Sequence, residues 1–218
     1  NKGDIVGLPQ FSVSTPLSEP VSPFSRLCQA YILFGQVMSY RKLDSSLGKT
    51  RFVRASHLFS EISNLSREIT AQASASKDFF SFIPSLALTY SSHCYLCNLY
   101  CCLGNDLDEE QKQMHELAKY EMKSIATHII DFTGQVSISS QTLQDIDRVS
   151  PLIMDGIYAG ALTLVWLTKE NGDEDYQIGL SSIRECLSKL STRWRNAADY
   201  VRILEAHEFA FALTQNLT

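Results

Sequence analysis

Between Tyr176 and Phe211 the apolar residues return every three or four positions, and that spacing decides the class of fold. Tyr176, Leu180, Ile183, Leu187, Leu190 and Trp194 draw one stripe along a helix. A strand, whose side chains alternate with period two, cannot place them on one face. Asp173, Glu174 and Asp175 stand just ahead, where carboxylates favour a helix N-terminus. A second run continues the seam through Ala197, Ala198, Val201, Leu204, Phe209 and Phe211, while Arg184, Glu185, Lys189, Arg193, Arg195 and Arg202 fill outward positions. The reading is two helices, or one bent helix, with Trp194 as the packing residue at the corner. Such a seam must bury against other helices.

The same period recurs upstream. Residues 1–21, with Pro9, Pro16 and Pro20, read as an extended arm or linker. Ser22-Pro23 is an N-cap followed by proline at the first helical position. It opens a helix through Leu27, Ala30, Phe34 and Val37 towards Leu43. A break at Asp44–Gly48 precedes a second helix carrying Phe52, Leu58, Ile62, Leu65 and Ile69. Phe79–Asn105 holds no charged residue except for what His93 can carry. Its Ser81, Pro84, Ser85, Thr89, Ser91, Ser92 and Asn98 are too many polar groups for lipid, so the expectation is a helix buried on most sides rather than a membrane span. Gly104-Asn105-Asp106 ends it. Asp108-Glu109-Glu110 begins the next helix, with Met114, Ala118, Ile125, His128, Ile129 and Phe132 on its inner side and a break at Gly134–Ser140. Ser150-Pro151 starts the apolar run Leu152–Trp166, too short for a bilayer, in which Gly156 and Gly160 let another backbone approach. No strand pattern of useful length occurs. The fold class is all-α: one helical domain over residues 22–218, about seven or eight helices, no significant β-sheet.

The chemistry expected of this pattern is slight. A net charge of −5 without a Lys/Arg block argues against nucleic-acid binding by this chain. Six cysteines, four of them between Cys94 and Cys102, read as reduced thiols of an intracellular protein. Cys94, Cys97, Cys101 and Cys102, with His93, are the nearest approach to a metal constellation. They share one helix, where the first three form a stripe of small buried hydrophobes. His128 reads as a hydrogen-bonded core residue. Neither a phosphate-binding glycine loop nor Gly-x-Ser-x-Gly occurs, and the acids from Asp106 to Glu110 are explained as a helix start. No catalytic residue, metal site or cofactor is expected, and the chain does not read as an enzyme. Ser81, Ser85, Thr89 and Ser92 line one side of the uncharged helix. Either their hydroxyls bond back to the carbonyl one turn earlier, or Ser85, Thr89, Ser92 and neighbouring His93 face an effector pocket.

Four stretches in order carry a resemblance: Ser22-Pro23-Phe24-Ser25-Arg26-Leu27-Cys28-Gln29-Ala30, Asn98-Leu99-Tyr100-Cys101-Cys102, Val149-Ser150-Pro151-Leu152-Ile153-Met154-Asp155, and Leu187–Glu208 with Arg193-Trp194-Arg195 and Ile203-Leu204-Glu205-Ala206. Together they resemble the regulatory region of fungal transcription factors of the binuclear zinc cluster class. The resemblance implies an all-helical nuclear domain, lying C-terminal to the DNA-binding module, that restrains or licenses activation on receiving a small effector or a co-regulator protein. It carries over no catalytic residue. It makes Trp194 a landmark and Arg193 and Arg195 candidate partner contacts. Zinc and DNA belong to the cluster, whose closely spaced cysteines are not in this sequence. The chain opens without Met, and the family's region extends further upstream. The expectation is therefore a piece of a longer protein with an apolar face open to a homodimer mate or another partner. Two other readings stand beside it: a helical interaction scaffold without a ligand pocket, and an all-α enzyme.

Overall fold

The computed structural model describes residues 21–42, 48–76, 78–101 and 107–215, without the side chains of 48–50, 171 and 210–215. The arm at 1–20, the expected stops at Asp44 and Gly104–Asp106, Cys102 and the Phe211 side chain lie outside the described residues. Those described form one all-α domain of eight helices without a strand. In chain order these are α1 (Pro23–Arg41), α2 (Gly48–Ala75), α3 (Ile83–Cys101), α4 (Glu109–Ser139), α5 (Leu143–Arg148), α6 (Met154–Asn171), α7 (Glu174–Ser191) and α8 (Arg195–Gln215).

Capping side chains set most boundaries. The Ser22 hydroxyl accepts from Ser25 N at 3.1 Å, with Pro23 in the first turn. Asp108 and Gln111 close a reciprocal capping box on α4, and Asp173 accepts from Asp175 N at the head of α7. α6 ends at Gly172, whose φ of +63° is the left-handed conformation that glycine adopts without a Cβ penalty. His115 Nδ1 lies 2.6 Å from Tyr100 O and so meets a carbonyl of the last turn of α3 from α4.

Three features differ from the sequence reading. α4 runs unbroken to Ser139, through Gly134. Phe132, Thr133 and Val136 keep facing the core, so burial outweighs the roughly 1 kcal/mol helix penalty of one glycine. A short helix, α5, lies beyond the elements expected from the sequence; Thr142 and Asp145 cap it reciprocally. Ser150-Pro151 first makes a single 3₁₀ turn, Pro151–Ile153, before α6.

The long helices assemble around α3. α1, α2, α4 and α6 all pack on it, α7 packs on α4 and α6, and α8 on α7 and α6. α6 approaches α3 closely at Gly156, where an added Cβ would stand 2.4 Å from the Ala87 carbonyl oxygen. By length and composition Pro151–Glu170 is apolar enough to cross a membrane, a longer span than the run counted in the sequence. Most of it is buried among the other helices. Buried polar groups tie the layers together. Arg26, 5% exposed, bonds Glu68 and Gln72, each at 2.7 Å, joining α1 to α2. The Tyr40 and Tyr100 hydroxyls bond each other, and Tyr40 also donates to Arg51 O at 3.1 Å.

Candidate functional site

α2 and α4 both run antiparallel to α3. Phe59 meets His93 from α2, and Phe132 meets Tyr90 edge-on from α4 at 5.5 Å between ring centres. The two outer helices touch each other little. The gap they leave over α3 is a cleft of about 570 Å³, within the range that small ligands occupy. Its floor is the α3 stripe Leu86, Tyr90 and His93. The seven residue steps from Leu86 to His93 make that floor about 10 Å long. The α2 wall presents Ser63, Ser66, Arg67, Thr70 and Ala71, and the α4 wall presents Ser124, Ile125, His128, Asp131, Phe132 and Gln135.

Tyr90 is the polar centre of the floor. Burial pushes its hydroxyl above the ordinary tyrosine range, the hydroxyls of Thr70 and Ser66 beside it act the other way, and Asp131 raises it further. Tyr90 therefore stays a neutral donor and acceptor at physiological pH. At the α3 C-terminal end of the floor, His93 is 4% exposed. Its Nε2 stands 3.0 Å from Glu121 Oε2, within ion-pair range. Among the described residues it makes no hydrogen bond. The cleft thus combines hydroxyls, one buried ring nitrogen, an exposed cation and carboxylate, and a strip of apolar wall.

The other expected effector residues lie elsewhere. Ser85 Oγ donates to Phe82 O at 2.9 Å, Thr89 Oγ1 to Ser85 O at 2.7 Å, and Ser92 Oγ to Leu88 O at 2.8 Å. All three are buried and spend their hydroxyls on their own helix; of the four residues only His93 lines the cleft. Ser81 bonds Asp78 outside the helix. His128, expected in the core, is exposed on the rim of the cleft. It sits about a quarter of a turn from the middle of the buried face marked by Ile125 and Ile129. Cys94 and Cys97 pack on the core-facing stripe of α3 with Cys101. Burial is the main cause that pushes the Cys94 thiol up to about 12 and Cys97 well above its ordinary value. Both stay protonated and unreactive at neutral pH. No group of three or more His, Cys, Asp or Glu side chains converges among the described residues.

Trp194 stands in the short turn between α7 and α8, half-buried against the core, its backbone N–H bonded to Leu190 O at 2.9 Å. Arg193 stacks over its ring at 4.7 Å and donates through Nε to Asp147 Oδ1 at 2.6 Å, while Arg195 is exposed.

Periodicity does mark the cleft walls. Ser63, Ser66 and Thr70 recur at steps of three and four, as do Ser124, His128, Asp131 and Gln135. A solvated helix face makes the same pattern, so the sequence alone could not separate the two. Comparison with protein-family models, with curated proteins and with solved structures gives no match.

Proposed function

We propose that this chain is the regulatory domain of a fungal transcription factor of the binuclear zinc cluster class, and that a small effector bound in the α2–α4 cleft controls its output. The family half of this reading rests on the four sequence stretches; the effector half rests on the cleft. A ligand spanning the two walls favours one spacing of α2 and α4, which otherwise communicate mainly through α3. It shifts the balance between packings only by as much as it binds one better than the other. DNA contact, zinc and nuclear targeting fall to other parts of such a protein.

The test is a reporter. The chain is fused to a heterologous DNA-binding module in a fungal host and transcription is followed across carbon and nitrogen sources. The expected result is output that changes with at least one source, and a Ser66→Trp variant, its cleft filled, that no longer changes. Constant output, or a variant that responds like the parent, counts against the reading.

A second reading has one observation in its favour. The outer side of α1 exposes Phe24, Tyr31 and Ile32, with Phe24 74% exposed. Apolar side chains so placed suit a protein-interaction scaffold. Its signature is a co-regulator or second copy whose binding is lost on substituting Tyr31 and Ile32 and unaffected by filling the cleft.

A further inference from the structure

We infer that the α2–α4 cleft takes a small zwitterion, a molecule of amino-acid size with one carboxylate and one ammonium group. The inference rests on the effector reading of this cleft and specifies its ligand. Four ion pairs join elements elsewhere, Arg26 to Glu68, Arg148 to Asp78, Arg193 to Asp147 and Arg184 to Glu208, while Lys119–Glu116 and Arg202–Asp199 stay within one helix. Among the described residues, the two charges of the cleft walls make neither kind of pair. Among the described residues, Arg67 on the α2 wall bonds the Asn64 side chain of its own helix and forms no ion pair, and neither does Asp131 on the α4 wall. A cation and a carboxylate therefore border one cleft from opposite walls without meeting.

A ligand carrying both charges satisfies both walls at once, its carboxylate on Arg67 and its ammonium on Asp131. A dicarboxylate gains at Arg67 and is repelled at Asp131; a diamine meets the reverse. A neutral polyol leaves both charges to water. Between the walls, Leu86, Ile125 and Phe132 offer apolar surface to the ligand's carbon skeleton, with the Tyr90, Ser66 and Thr70 hydroxyls among them.

Calorimetric titration of the whole chain tests this. The probes are the free L-amino acids, the N-acetyl and amide derivatives of whichever binds, succinate, putrescine and glucose. At least one free amino acid binds, and blocking either of its charges weakens binding at least about tenfold, the scale of a lost charge-assisted hydrogen bond. Arg67→Gln and Asp131→Asn, both at exposed positions, do the same while the chain melts as before. The inference is overturned if no free amino acid binds, if succinate, putrescine or glucose binds better, or if both substitutions leave affinity unchanged. Zwitterion binding with a reporter that ignores it overturns the regulatory reading and leaves this inference standing. A reporter response blocked by Ser66→Trp, with a neutral sugar as the ligand, does the opposite.

Discussion

α3 and α7 are nearly the same length and share the same helical signal, yet they play opposite parts. α7 has one apolar stripe, Leu180, Ile183, Leu187 and Leu190, and a charged outer side with Arg184, Glu185 and Lys189. α3 has no such division. It carries no Asp, Glu, Lys or Arg and is packed by α1, α2, α4 and α6, with its serines and Thr89 bonded internally or, for Ser91, to Asp155 at 2.8 Å. An amphipathic helix announces which side is inside. A helix apolar all round announces only that it is central, and leaves open which neighbour takes which side.

That difference fixes where substitutions hurt. The largest effect is expected on α3: Leu96→Ala, at a site with no exposure, costs about 4 kcal/mol. Ser188→Ala on the outer side of α7 changes denaturant stability by less than about 0.5 kcal/mol. Similar values for the two would erase the contrast. Next comes the α3–α6 crossing. Gly156→Ala, whose Cβ meets the Ala87 carbonyl oxygen, costs about 3 kcal/mol by forcing two backbones apart. Gly172→Ala strains only a left-handed residue at a helix end and costs about 1 kcal/mol. At the end of α7, Trp194→Ala costs about 2 kcal/mol, below the ~3–5 kcal/mol of a fully enclosed ring, because this one is half-buried.

The smallest effect at ordinary pH is the most specific to α3. Its thiols titrate higher in the folded chain than in the unfolded one. Below the unfolded thiol pKa of about 8.5 both states are protonated and pH has no influence through them. Above it the unfolded state binds fewer protons, so stability falls as pH rises, by about 1.4 kcal/mol per unit for each such thiol until the folded value is reached. For Cys94 that window closes at about 12. Urea titrations between pH 7 and about 10 check this; Cys94→Ala lessens the slope.

How much was legible follows from the same contrast. The α7 stripe, the caps at Ser22, Asp108 and Asp173, and the close approach at Gly156 could each be read because a local pattern has a local cause. Gly134 misled, since a residue that weakens an isolated helix is carried through by Phe132 and Val136 packing on either side of it. The cleft stayed hidden for another reason. It exists where α2 and α4 fail to meet over Leu86, Tyr90 and His93, a relation among three helices that none of their separate sequences contains. Reading α3 alone drew attention to Ser85, Thr89 and Ser92, whose hydroxyls turn back on their own helix, and past Tyr90 between them.

Native mass spectrometry of the chain purified from a fungal host, beside its Ser66→Trp variant, tests the cleft most directly. The account predicts one small molecule of defined mass on the parent and none on the variant, with both folded. An empty parent, or a molecule that the variant retains, would contradict it.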